Sequence, residues 1–210
     1  MADDYLGKKM ADYLARPVVT KHRTASLGRL LSRNRSYRGF DGSFVVRADQ
    51  LRRIIGVNTL LPSACNRQAL RFRPVLTDEA DKVLPHIRLG GALRDLKLPL
   101  EGMEPRAFIV VCSTVEEDHY IDIDLGISAQ SMLLQAVEMG LGGICIGAFD
   151  HKAVRESLGL ELEPLLVIAI GRPAERIELV ECGADDDKTY YRRDGVHYVP
   201  KIRLDELIVG

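Results

Sequence analysis

The chain has 210 residues, 46% hydrophobic and 28% charged, with a formal net charge of −1. This is the composition of a globular protein of one large domain or two small ones, long enough to bury a real core. So even a charge balance argues against a dedicated nucleic-acid binder, whose phosphate partners need a basic field. The four cysteines, Cys65, Cys112, Cys145 and Cys182, form no CxxC pair, which speaks against a zinc site or a disulfide framework. Cys112 and Cys145 lie in apolar runs and are expected to be buried thiols in a reducing compartment. The opening "MADDYLGKKM" is not a secretory leader, and the longest apolar run, "PLLVIAIG", is too short to span a bilayer. A cytoplasmic protein is expected.

In chain order, residues 3–16 carry Tyr5, Leu6, Met10, Tyr13 and Leu14 at helical spacing. A short helix is predicted from Ser26 or Leu27 to Ser32. Between Tyr13 and Phe40 there is no acid, against seven Lys or Arg. Ala48–Val57 is predicted as a helix burying Leu51, Ile54 and Ile55. "LPSACNRQAL" is a polar loop begun by proline. "RFRPVLT" alternates as a strand with Phe72 and Leu76 on one face, and Pro74 makes it an edge strand or ends it early. Thr77 is expected to cap a helix with Asp78 and Glu79 in its first turn. "HIRLGGALRDLKLPLEGMEP" is a loop long enough to suggest function.

"RAFIVVCST" is predicted as a buried strand. Ile123, Ile127, Gln130, Leu134, Val137 and Leu141 then form one mostly apolar stripe on a helix of about five turns, ended by glycines 140, 142 and 143. "GICIGAF" is a short strand, Asp150 caps the helix "HKAVRESLGL", and "PLLVIAIG" is a second central strand. The tail alternates weakly through "GVHYVP" before "KIRLDELIVG". This order predicts an α+β or three-layer α/β arrangement.

Hydrolytic and nucleotide motifs are absent: no GxSxG, no P-loop, no GxGxxG. His22, His86, His119, His151 and His197 are scattered without metal spacing and are expected at the surface or in loops. The acids of "EEDHYIDID", Glu116, Glu117, Asp118, Asp122 and Asp124, are expected to complement a helix N-terminus rather than bind a metal. An anion site remains. Arg35, Ser36 and Arg38 follow a short helix with guanidinium forks and a hydroxyl suited to phosphate. Lys201 and Arg203 share one face of an extended segment.

"RNRSYRGF" followed by "PSACNRQALRF" resembles the FMN-dependent nitroreductase family. "DLGISAQSMLLQAVEMGLGGICIGAF" is similar to its central helix and the strand after it, and "IAIGRPAE" and "PKIR" continue the family's order over residues 33–203. The resemblance implies a three-layer α+β fold with a mainly antiparallel central sheet flanked by helices. It implies a single domain over 26–210, with 1–25 as an N-terminal helical extension. It also implies a homodimer with two FMN sites at the subunit interface and a dimer-swapped C-terminal tail. In that frame Arg35, Ser36 and Arg38 hold the phosphate and ribityl side, and Lys201 and Arg203 complete the cradle. Pro62, Ser63, Ala64, Asn66 and Gln68 face the flavin from the other subunit. Cys145, Ile146, Gly147 and Ala148 run beneath the ring, where a backbone N–H reaches N5. Many members have Arg where this chain has Asn34, and Arg33 is expected to substitute. "QALRF" lacks the family's usual proline, and Gly147 stands where some members carry Glu.

The activity so implied is NAD(P)H-dependent reduction of a nitroaromatic, quinone or related acceptor by ping-pong turnover. A flavin carries the redox step, so no side chain is assigned as catalytic. Reduced flavin is negative near N1, and Arg38 is the expected neighbouring cation. The loop over 85–105, with its Gly90–Gly91 pair, is expected either to limit entry or to serve as a plain linker. Gly126 is expected to allow close packing across a dimer axis, and Met132 and Met139 to pack. Two other readings are a flavin-binding module without turnover and nucleic-acid binding through the acid-free segment 13–40.

Overall fold

Two apolar runs without polar alternation form the centre of the sheet, as strands buried on both faces do. The computed structural model describes residues 26–91, 93, 96 and 98–210, so the helix predicted over 3–16 lies outside the described residues. The strands are β1 (Leu70–Val75), β2 (Ala107–Ser113), β3 (Gly142–Ile146) and β4 (Glu163–Gly171), in the order β1-β2-β4-β3. Every pairing is antiparallel, with Val110 opposite Val167 and Ile144 opposite Ala169. β1 is an edge, and there Pro74 takes its place without costing an interior hydrogen bond.

Four helices flank this sheet: α1 (Leu27–Arg33), α2 (Ala48–Gly56), α3 (His119–Glu138) and α4 (His151–Leu158). Ile109, Val111, Ile168 and Ile170 pack with Leu51 and Ile54 of α2 and Met132 and Ala136 of α3. On the opposite face Phe108, Val110, Val167 and Ala169 pack with Val154 of α4 and with Ala80 and Val83. Three of these four helices, α1, α3 and α4, start where the cap side chain accepts a free backbone N–H. Ser26 accepts from Arg29 N at 3.3 Å and Asp150 from Ala153 N at 2.9 Å.

α3 departs from a one-sided helix. Ile121, Met132 and Ala136 enter the core with Val137 and Leu141 from the predicted stripe, while the stripe's first three members, Ile123, Ile127 and Gln130, face outward. Ile123 and Ile127 are 45% and 36% exposed. The outer face of α3 is therefore mixed, with these isoleucines between exposed Asp122 and Gln130.

No α-helix follows Thr77, contrary to expectation: only short 3-10 turns form over Ala80–Lys82 and Leu84–His86. Thr77 Oγ1 caps nothing and is buried without a partner. Glu79, expected in a first helical turn, accepts instead from Arg73 of β1 and from Lys82, and Pro85 offers no N–H to propagate a helix. A second, smaller sheet was not anticipated. It joins β5 (Arg176–Cys182), β6 (Tyr191–Arg193) and β7 (Val196–Ile202) in the order β5-β7-β6. The charges of "RIELVEC" hid β5, whose pairing with β7 is parallel and therefore nonlocal. Among the described residues no helix is long and apolar enough to cross a membrane.

Met132 is fully buried at the centre of α3. Met132→Ala should cost roughly 2–5 kcal/mol through the cavity it leaves, read as a lower urea midpoint. Asp118, at the start of α3, accepts from Ile121 N at 2.8 Å and from both Arg67 Nη atoms at 3.0 and 3.1 Å. The Arg67 bonds, followed by the helix N–H, hold its carboxyl down at about 2. Its contribution is therefore complete above the ordinary carboxylate range and lost as pH falls through about 2. Asp118→Asn should lower the urea midpoint at neutral pH and narrow its gap to the parent on acidification.

Candidate functional site

Beyond α1 the chain runs extended along the free edge of β3. Ser36 pairs with Gly143, and Tyr37 N–H donates to Gly143 O at 3.2 Å. So close an approach requires glycine. A Cβ on Gly142 would lie 2.6 Å from the Tyr37 ring, and one on Gly143 would lie 2.8 Å from Leu133. In this parallel register Arg35 falls opposite Gly142, and the strip Cys145, Ile146, Gly147 and Ala148 begins two residues beyond Ser36's partner, about 7 Å along the strand. Ile144 and Ile146 point into the core, so alternation turns Cys145 outward. Cys145 is thus exposed, not buried as its apolar neighbours suggested. It lies in a hollow whose desolvation pushes its thiol up to about 11 and keeps it protonated. Gly147 and Ala148 are exposed, and a Cβ on Gly147 would meet nothing within 4 Å.

Ser36 is exposed, while Arg35 Nε is buried with no partner and Arg35 Nη2 donates to Leu31 O. Asn34, where the resemblance expected arginine, donates from Nδ2 to Gln130 Oε1 at 3.3 Å and ties the segment to α3. Arg33 is exposed at the end of α1. Arg38 turns the other way and is buried. Its Nη1 donates to Ser36 O at 3.0 Å and lies 3.3 Å from His197 Nε2, and its guanidinium sits 4.6 Å from the Tyr190 ring centre. Glu175 accepts from the backbone N–H groups of Arg38 and Gly39 and pairs with Arg192.

His197, expected at the surface, is 1% exposed on β7. Burial, then the neighbouring Arg38, lowers its pKa and keeps the ring neutral. The weak alternation of "GVHYVP" was its only sequence signal. Lys201 shares the face of β7 that carries His197, but strand rise puts it about 13 Å farther on, and it is exposed. Arg203 lies just past the strand, bonded to Glu206 Oε1 at 2.9 and 2.6 Å. One chain therefore does not gather these two cations around Ser36.

The loop holding Pro62, Ser63, Ala64, Asn66 and Gln68 is built under strain. Cys65, Asn66 and Gln68 have φ of 50°, 54° and 47° without being glycine, each costing on the order of 1 kcal/mol or more. Hydrogen bonds enforce this shape: Gln68 N to Ser63 Oγ at 3.1 Å, Gln68 Nε2 to Asn66 Oδ1 at 3.0 Å, and Ala64 N to Asp124 Oδ1 at 2.9 Å. Asp124, expected only to complement the helix N-terminus, is instead 5% exposed and anchors this loop, and its Oδ2 is buried without a partner. Pro62, Ser63 and Gln68 line a cleft of about 780 Å³ with Ile55, Phe72 and Ile127. That cleft does not include Arg35 or Cys145. Along α3, the Ala64–Asp124 contact and the Asn34–Gln130 contact are about 9 Å apart.

The long loop is pinned at its start beside Ala148 and at its end against Phe40. Arg88 N donates to Ala148 O at 2.8 Å, Asp150 N to His86 O at 2.9 Å, and Phe40 N to Met103 O at 3.0 Å.

The chain is 38% identical over 56 residues to MJ1384 of Methanocaldococcus jannaschii, a protein named as a nitroreductase; the match spans 27% of the chain and 28% of that relative. Solved structures share its fold. A nitroreductase family protein from Streptococcus pneumoniae TIGR4 superposes with a TM-score of 0.61 at 18% identity, covering 73% of this chain and 93% of that one. A nitroreductase from Desulfovibrio desulfuricans, solved in complex with FMN, gives 0.59 at 22% identity, covering 74% and 89%. An FMN-dependent nitroreductase from Clostridium difficile R20291 gives 0.58 at 21% identity, covering 79% and 97%. Residues 31–172, which carry the main sheet, the end of α1, helices α2 to α4, and both Ser36 and the strip 145–148, match the family model described as "Nitroreductase family", and the chain belongs to that family.

Proposed function

We propose that the chain is an FMN-dependent oxidoreductase that uses NAD(P)H to reduce a nitroaromatic, quinone or related small acceptor. The observation that carries this reading is the pairing of Ser36 with Gly143, which sets an anion-binding segment along β3 just ahead of an open strip of backbone. Arg35 Nε, buried and unpartnered, and the exposed Ser36 hydroxyl are donors suited to a phosphate. Just beyond them, Cys145, Gly147 and Ala148 leave a surface on which a flat ring can rest, and Gly147 adds no side chain there. The Cys145 thiol stays neutral and puts no anion against the ring. Bound FMN supplies the two-electron chemistry between NAD(P)H and the acceptor. The chain holds the phosphate, presents the strip and narrows the approach with the loop over 85–105.

The complete site requires a second copy. A two-fold axis passing beside the exposed Ile127 pairs α3 antiparallel with its copy. Position 124 of one chain then stands opposite position 130 of the other, which carries the strained loop toward the partner's Asn34–Ser36 segment. Leu204, Leu207, Ile208 and Val209 are 61–96% exposed at the C-terminus. In this reading the tail crosses to the second copy and covers the free edge of β1 with its adjoining cleft. Lys201 and Arg203 are carried toward the phosphate only in that assembly.

Protein supplied with FMN should retain it and turn yellow, migrate as twice 23.4 kDa, and lose its flavin colour anaerobically on NADH or NADPH. Arg35→Ala should weaken FMN binding about tenfold or more. A chain that takes up no FMN contradicts the reading. One that binds FMN but is reduced no faster than free flavin is a binding module instead.

A further inference from the structure

We propose that His197 is a positioning residue for the anion-binding segment: its neutral ring accepts a hydrogen bond from Arg38, and Arg38 in turn holds the Ser36 carbonyl. The inference rests on the flavin reading above and names what sets that site's shape.

A guanidinium only donates. The 3.3 Å contact between Arg38 Nη1 and His197 Nε2 therefore requires a lone pair on Nε2 and places the ring proton on Nδ1. The same Nη1 donates to Ser36 O at 3.0 Å. The surroundings offer few alternatives. The groups facing His197 are Arg38 from the segment beside β3, Arg192 directly across on β6, Glu175 ahead of β5, and the Tyr190 ring at 5.2 Å. Glu175 is committed to Arg192 and to the backbone of Arg38 and Gly39. Arg38 Nε, Arg192 Nε and His197 Nδ1 are already buried without partners. Donors thus exceed acceptors, and the ring nitrogen is an acceptor the cluster needs. Protonation would replace it with a donor facing Arg38, beside Arg192. Glu175, Tyr190, Arg192 and His197 all lie beyond residue 172, where the family match ends. The small sheet is in this sense a clamp on the anion-binding segment.

The test is FMN affinity of the flavin-free full chain by fluorescence titration between about pH 5 and 8, for the parent, His197→Phe and His197→Gln. Phenylalanine keeps ring volume against Tyr190 but has no acceptor; glutamine restores an acceptor near the Nε2 position and does not titrate. His197→Phe should bind FMN about tenfold more weakly at neutral pH, and His197→Gln should recover most of that loss. Parent affinity should fall as pH drops through the ring's lowered pKa, and that fall should vanish in His197→Gln. Parent-like affinity in His197→Phe, or a parent-like pH profile in His197→Gln, overturns the proposal. A second readout needs no flavin: the imidazole nitrogen NMR shifts of the parent should report a neutral ring protonated on Nδ1 at neutral pH. A cationic ring, or one protonated on Nε2, overturns the proposal whether or not FMN binds. A parent that binds no FMN overturns the flavin reading, and the nitrogen spectrum then decides the Arg38 contact by itself.

Discussion

The backbone contact between Ser36–Tyr37 and Gly143 organises the rest of the site. It exists because residues 142 and 143 have no side chains: a Cβ at either would strike Tyr37 or Leu133. Through this contact a basic segment that leaves α1 becomes an extra strand-like edge on β3. Two guanidinium groups then leave it in opposite senses. Arg35 keeps a buried, unpartnered Nε and donates from Nη2 to Leu31 O. Arg38 is drawn inward to Ser36 O and His197. Two arginines three positions apart so acquire different tasks in the proposed site, one facing the ligand and one shaping the backbone that presents it.

The strained loop at 62–68 has a different logic. Three left-handed non-glycine residues in four positions persist only where their surroundings over-determine them. Asp124 and Asp118, both from α3, do so by holding Ala64 N and Arg67. The loop is rigid in a single chain yet stands apart from Arg35. The outer face of α3, with Ile123 and Ile127 exposed, supplies a reason: in the proposed dimer it is the surface across which a second copy brings the loop and the basic segment together. The same helix therefore serves as core, loop anchor and proposed interface.

The central strands were legible because "FIVVC" and "LLVIAI" are apolar without alternation, and the caps at Ser26 and Asp150 because local side-chain chemistry sets them. The edge position of β1 followed from Pro74 alone. Other features depended on distant partners and left little local signal. Thr77 looked like a cap, but Arg73 and Lys82 captured Glu79. Cys145 looked buried, but a half-turn of strand phase decided otherwise. Asp124 resembled its solvated neighbours until Ala64 came within reach. His197 sat in a weak pattern whose meaning depends on Arg38, 159 residues earlier. The motif resemblance grouped Lys201 and Arg203 with Ser36, whereas in one chain they lie at the far end of β7. Sequence patterns of this kind record which residues serve a site, not which chain supplies them.

The most direct test of a site shared between copies is subunit complementation. Chains carrying Arg35→Ala are co-refolded with chains carrying Asp124→Ala, each alone impaired in FMN retention. If each site takes its basic segment from one chain and its loop from the other, a mixed dimer holds one site with both defects and one with none. Bound FMN should then rise well above that of either variant alone, toward one per mixed dimer. If mixtures retain no more FMN than the two variants measured separately, each chain builds its own site and the shared arrangement is contradicted.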